Sequence, residues 1–323
     1  MLGLFSKPRH RRVGVHISPH SITIVELSRL RGVFQLERYA IEALPDTLMI
    51  DQTRTEPKSV AQVLLRVLGK AGVEARDVVV ALPDTQVICK RFEVEAGLGE
   101  RDLELHVRLE AEQHVPCALE EVALDYEVES QPASHAGRVN VLLVICRQEA
   151  LEWHQNVLLG AGLKAQVITV QAHALARAID WMACSATGPS MQGVVAVVEF
   201  MARTALLSVV CQGQVVYARQ LLFERGEQGD EDFKTSAVEH IRRGLELFAE
   251  SGVEHVPRLL VLAGAAATSV GLRQWIEDQL GMPTHVANPF AAMSLNPVLA
   301  PEALLCDAPL LLTTCGLALR GFD

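Results

Sequence analysis

Chemistry in this chain would have to begin at "VGVHISPHSITIVELS", Val13 to Ser28. Two histidines, His16 and His20, stand four apart, a spacing that grips a metal when the segment is a helix. Ser18 and Ser21 flank Pro19 at a break between two apolar runs. That shape suits a hairpin that holds phosphate through backbone N–H groups. Such a turn favours glycine, yet here it offers Ser18 and Pro19, and proline has no N–H to give. Buried run, break and alternating run read as strand, turn, strand, so the two imidazoles need not converge. No third ligand can be named, and no metal site is predicted. "GAGLKA" (Gly160–Ala165) fits a loose dinucleotide pattern, but it follows a helix and precedes a strand, the wrong order for a phosphate loop. "GDEDFKTS" lacks the second glycine of a Walker A loop. No nucleophile elbow or paired-carboxylate spacing is present, so no catalytic residue is assigned.

The elements that position these residues belong to a chain of 323 residues, longer than one core usually supports, so two or more domains are expected. Half of it is apolar and 21% charged, an ordinary globular composition. A net charge of −10 argues against a general nucleic-acid binder. The start, "MLGLFSKPRHRR", runs the other way: Lys7, Arg9, Arg11 and Arg12 follow Leu2, Leu4 and Phe5. A signal peptide places its charges before a longer apolar core, so 1–12 reads as a flexible basic segment. It is either a frayed tail or a weak contact with an anionic membrane surface. The apolar stretch "LLVLAGAAATSVGL" (Leu259–Leu272) is too short to span a bilayer. Seven scattered cysteines, none in Cys-x-x-Cys, read as small core residues of a cytoplasmic protein.

Strand and helix signals alternate, which predicts α/β layers. Three antiparallel strands ("RVGVHIS", "SITIVELS", "FQLERYAIEAL") precede a helix, "PKSVAQVLLRVLGKAG". Its Val60, Val63, Leu64, Val67 and Leu68 share one face, and Gly72 stops it. A buried strand, "DVVVALP", follows. Residues 84–164 then read as a self-sufficient β-α-β-β-α-β domain. It includes the charged helix "GERDLELHVRLEAEQHV", whose outer face is either simply solvated or a partner contact. After a helix and the linker "TGPSMQG", the opening pattern returns. "GVVAVVEFMARTALLSVVCQGQVVYARQLLF" echoes "RVGVHISPHSITIVELSRLRGVFQLERYAIEAL", including a glycine hairpin in each (Arg31-Gly32, Gln212-Gly213). An internal repeat of this kind points to a duplicated fold. The expected halves are 13–83 plus 165–188, and 189–323.

The duplicated βββα plan resembles that of actin, hexokinase and Hsp70. The segments "LERYAIEALP", "AGLGERDLELHVRLEAEQHVPCALEEVALDYEV", "VLLVICRQE", "VANPFAAM" and "CGLALRGFD" closely resemble the type IV pilus assembly family PilM. The resemblance runs over nearly the whole chain. It implies an actin-like fold close to that of FtsA, with the small domain 84–164 replacing an actin subdomain. It also implies a cytoplasmic scaffold, peripheral to the inner membrane, that binds ATP and grips the N-terminal cytoplasmic tail of the bitopic protein PilN. Through PilO- and PilP-like proteins such a scaffold would join the pilus motor to the outer-membrane secretin. An equivalent place in a type II secretion or MSHA-like system is the alternative host, and an ATP-switched or slowly ATP-hydrolysing member is the alternative mode.

Against that family this chain departs at each nucleotide motif. In the first phosphate turn His16 replaces a magnesium-ordering Asp, Thr23 replaces a Lys, and Pro19 enters, while Ser18 and Ser21 remain. In the second turn, "VEFMARTAL", Glu199 lengthens the Asp, Met201 stands at the Gly position, Arg203 enters, and Thr204 survives. In the adenosine motif, "LAGAAAT", Gly264 is kept and Ala265 replaces the second Gly. The second-half subdomain that would cover the nucleotide is shortened to "ERGEQGDEDFKTSAVEHI". The resemblance, so modified, predicts an adaptor with ATP–Mg binding weakened or lost, and with Ser18, Ser21, Glu199, Thr204, Gly264 and Ala265 as remnants of the pocket.

Overall fold

The computed structural model describes residues 10–44, 55–132, 135, 137–185, 193–201, 204–222, 230–252 and 255–323. The basic segment before His10, the linker 186–192, Arg203 and the shortened stretch 223–229 lie outside the described residues.

The first sheet is built from β1 (His10–Ile17), β2 (Ser21–Leu30) and β3 (Val33–Ala43), the three strands legible in the sequence. β1 begins at His10, so Arg11 and Arg12 are strand residues rather than part of a loose tail. Helix α1 (Pro57–Ala71) follows, with Pro57 at its first position and Gly72 closing it at φ 64°. Then come β4 (Asp77–Leu82) and, much later, β8 (Lys164–Val170). With β14 (Ser294–Leu295) the order is β14-β3-β2-β1-β4-β8.

The second sheet repeats the plan with β9 (Val195–Phe200), β10 (Thr204–Cys211), β11 (Gln214–Leu222), β12 (Leu259–Gly264) and β13 (Thr284–Val286), in the order β11-β10-β9-β12-β13. Both halves thus run third, second, first, fourth, fifth. Even the hairpin turns match. Arg31 and Gly32 have φ of 52° and 85°, Gln212 and Gly213 of 48° and 76°, as two-residue type I′ loops require.

Helix α4 (Gln171–Ser185) and helix α8 (Leu312–Arg320) are the layer between the sheets. One side of α4 packs Leu175, Ala178, Ile179 and Met182 against Val195, Val197 and Val261 of the second sheet. Ala174 and Leu317 meet Val79 and Ala81 of the first. The two helices touch backbone to backbone: a Cβ on Gly316 would lie 1.8 Å from the Ala174 carbonyl oxygen. The outer faces carry α1 with α3 (Gln148–Gly160) on the first sheet, and α5 (Asp230–Glu250) with α6 (Leu272–Leu280) on the second. The stretch Pro301–Arg320, which includes α7 (Pro301–Asp307), is apolar enough to cross a bilayer by length and composition, but 67% of its window is buried inside the protein.

Two expected boundaries are redrawn. The inserted unit is a three-stranded sheet, β5-β7-β6, of β5 (Val87–Glu95), β6 (Val122–Pro132) and β7 (Arg138–Arg147), backed by α2 (Glu100–Glu112). The last two elements assigned to it belong elsewhere. α3 buries Trp153, Val157 and Leu158 in the first-half core, and β8 pairs with β4. Likewise the closing segment leaves the second half: β14 pairs with β3, and α8 packs on β1, β2 and β4. Periodicity reveals that a strand or helix exists, but not which of several apolar surfaces it covers.

Candidate functional site

The ends of β1 and β9, the start of α4 and the bend after β4 come together where the two halves meet. Here the turn Ser18–His20 is closed upon itself. The Ser18 amide donates to the Ser21 carbonyl at 2.9 Å. The Ser18 hydroxyl oxygen accepts the Ser21 amide at 3.0 Å and the His20 amide at 3.4 Å, and also meets the Ser21 hydroxyl at 3.0 Å. Pro19 has no amide to contribute. Every N–H from 18 to 21 that a phosphate would need is therefore absent or occupied within the turn.

His16 and Thr23 face each other across β1 and β2. Burial pushes the His16 imidazole down to about 4, opposed by a hydrogen bond with the Gln171 side chain and aided slightly by His154. At neutral pH the group at this position is thus uncharged, unlike the acid it replaces in the resemblance. Thr23 hydrogen-bonds Thr314 of α8 and is buried there, so it points into the helix layer.

On the second half, Glu199 lies in β9 between Leu206 and Ala263. Burial, reinforced by the charge of Asp84, pushes its carboxyl up to about 7. Asp84 comes from the first half, and its own carboxyl is also raised by burial. Its Oδ1 accepts the Ala172 amide at 3.0 Å and so caps the first turn of α4. Two carboxyl groups from opposite halves thus lie close enough for the charge of one to act on the other. Among the described residues, no group of three or more His, Cys, Asp or Glu could hold a metal.

The remaining expected positions serve the backbone. Thr204 is half-buried at the start of β10, and its carbonyl accepts the Met201 amide at 2.8 Å. Gly264 has φ 81°, and a Cβ there would sit 2.0 Å from the Phe200 carbonyl oxygen, so glycine is required by the approach of β12 to β9. Ala265 is exposed. The structure therefore brings Ser18 and Ser21 together in one turn, and it adds Asp84 and Gln171, which sequence reasoning missed. The only local signal for Asp84 was a Pro-Asp after a buried strand.

Beside Asp84, a groove of roughly 630 Å³, lined in part by Thr85, separates the inserted domain from the first half. Its walls include Ile88, Val115, Pro116, Val122, Ile145 and Trp153. Among the described residues that line it are the acids Glu56, Glu149 and Glu152 and the cation Arg147.

Two sheets of the same strand order, clasping two helices between them, define an actin-like fold. The chain belongs to the family described as type IV pilus assembly protein PilM, matched over residues 14–232 and 231–322. It is similar to a structure of a PilM–PilN type IV pilus biogenesis complex, at 24% identity and a TM-score of 0.77, covering 98% of this chain and 100% of that one. It is more distantly similar to the ethanolamine utilization protein EutJ of Carboxydothermus hydrogenoformans, at 15% identity and a TM-score of 0.48, covering 97% and 90%. The cytoplasmic domain of EpsL, an inner-membrane component of the Vibrio cholerae type II secretion system, matches at 12% identity and a TM-score of 0.45, covering 93% and 94%.

Proposed function

We propose that this protein is a non-enzymatic adaptor of type IV pilus assembly. It works on the cytoplasmic side of the inner membrane and binds the cytoplasmic tail of a PilN-like membrane protein. Family membership supports the scaffold role, and the similar PilM–PilN complex supports the partner. The observation that carries the adaptor mode is the closed Ser18 turn, whose amides are engaged by Ser18 and Ser21 themselves. Neutral His16 adds to this, since it supplies no charge to order a hydrated magnesium. ATP–Mg binding is accordingly weak or lost. The two segments of the family match also meet at 231–232, beside the expected shortening.

The tail is assigned to the apolar groove at Ile88 and Trp153. Cytoplasmic segments next to a membrane span are enriched in Lys and Arg, and an acidic rim around an apolar floor complements such a peptide. PilO- and PilP-like proteins and motor components are reached indirectly through this partner. The approach of Asp84 to Glu199 is the one feature that favours an ATP-switched mode, because two carboxylates can order a hydrated cation. Calorimetry with the tail peptide of the PilN-like protein encoded with this chain separates the two. Equal affinity with and without ATP–Mg is expected, together with a loss of at least about ten-fold for Ile88→Glu. A tail affinity that depends on ATP would replace the adaptor mode with the switch. Full binding by Ile88→Glu would move the tail out of this groove.

A further inference from the structure

The two repeats have the same hairpin but use its tip differently. In the second half the tip is Gln212-Gly213, and the next residue, Gln214, donates to Glu129 of the inserted domain at 3.0 Å. That tip is packed against a neighbour. In the first half the tip Arg29-Leu30-Arg31-Gly32-Val33 is exposed throughout, with Leu30 41% and Val33 58% accessible. Apolar side chains at a strand end gain nothing from water, and type I′ loops favour Asn or Gly where Arg31 sits at φ 52°. Neither choice helps the hairpin fold.

The surroundings of this tip share its charge. His10 pairs with Arg29, so β1 enters the fold beside the hairpin tip and brings Arg11 and Arg12 with it. Arg12 lies over the Phe322 ring and Arg29 over Phe34, which leaves the tip on a firm base. The strand starts at the same end add Arg76 and Lys164, against the acids Glu74 and Asp77. Glu26, the acid within the hairpin, is buried under Arg11 and Arg38. A chain of net charge −10 has thus gathered cations and exposed apolar side chains at one end of one sheet.

We infer that this end of the first sheet is a membrane-contact surface, in which Leu30 and Val33 enter the headgroup boundary of an anionic bilayer while Arg11, Arg29 and Arg31 meet lipid phosphates. Cations interleaved with apolar residues are the composition of interfacial contacts. A nucleic-acid surface would need the cations but not the aliphatic pair. The contact orients the adaptor and is separate from its tail groove, which lies by the opposite end of the strands.

The experiment uses the full chain and vesicles of phosphatidylglycerol mixed with phosphatidylcholine, with pure phosphatidylcholine vesicles alongside. Flotation is expected with the anionic vesicles only, and it should weaken as salt is raised. Arg31→Gly should lower the affinity about five-fold, as expected for one cation at an anionic surface, and it should melt no lower than the wild type because glycine suits the turn. Arg31→Glu should cost about ten-fold or more, and Leu30→Ser with Val33→Thr should reduce binding without altering its salt dependence. Undiminished flotation of Arg31→Glu, equal binding to neutral vesicles, or no binding to anionic vesicles at low salt each overturns the inference. So does binding of a DNA oligonucleotide in place of the vesicles. Tail-peptide affinity measured on the same variants should be unchanged, so a failed tail assay refutes the adaptor reading and leaves this surface standing.

Discussion

Replacing Glu199 with glutamine should stabilise the protein, and only above mildly acidic pH. The carboxyl is raised from 4.5 to about 7, first by burial and then by the charge of Asp84 from the other half. A group whose folded pKa is raised binds its proton more tightly in the native state. Its favourable contribution is whole below 4.5 and is lost as pH rises through about 7. That displacement corresponds to about 3 kcal/mol. Because Glu199 keeps some contact with solvent, water trims this to about 2 kcal/mol. Glutamine has a similar shape and no charge to desolvate. The measurement is urea unfolding of wild type and Glu199→Gln across pH, read at Trp275 in the second-half core. The two should coincide at pH 4.5, with the variant ahead by about 2 kcal/mol above pH 7. Asp84→Asn should shrink the difference, since the second cause of the raised pKa is removed. A constant difference across pH, or a variant weaker than wild type at alkaline pH, would refute the claim that this carboxyl is held against its charge.

Ser18→Ala should leave the His20 and Ser21 amides without their acceptor and cost about 1 kcal/mol in melting experiments, with tail binding untouched. Gly264→Ala drives a Cβ toward the Phe200 carbonyl from a backbone open only to glycine. It should cost about 3 kcal/mol or more, or yield insoluble protein. Gly316→Ala should separate α4 from α8 with a similar loss, seen as a lowered thermal midpoint; a midpoint like that of wild type would show that the helix layer can shift to admit a methyl group.

Local order was legible because it depends on near neighbours. The face of α1, the glycine that stops it, and the place of both glycine-marked hairpins follow from residue types a few positions apart. The repeat made the duplication visible, and long matched segments made the family visible. What the opening histidines do was legible only in part. The turn could be seen to lack glycine and Pro19 to lack a donor, but the sequence could not show that the Ser18 hydroxyl occupies the amides that remain.

Pattern and the internal repeat thus determined that this protein has two related α/β halves and a separate insertion, and the family resemblance added the expected departures at each nucleotide motif. The tertiary structure decided which sheet receives each late element. It gave α3 and α8 to the first half, and it brought the charge of Asp84 within reach of Glu199, 115 positions apart in the chain. The physical reason is that hydrophobic burial is non-directional. An apolar helix face specifies that it must be covered, and only the packing of the whole chain selects the surface that covers it.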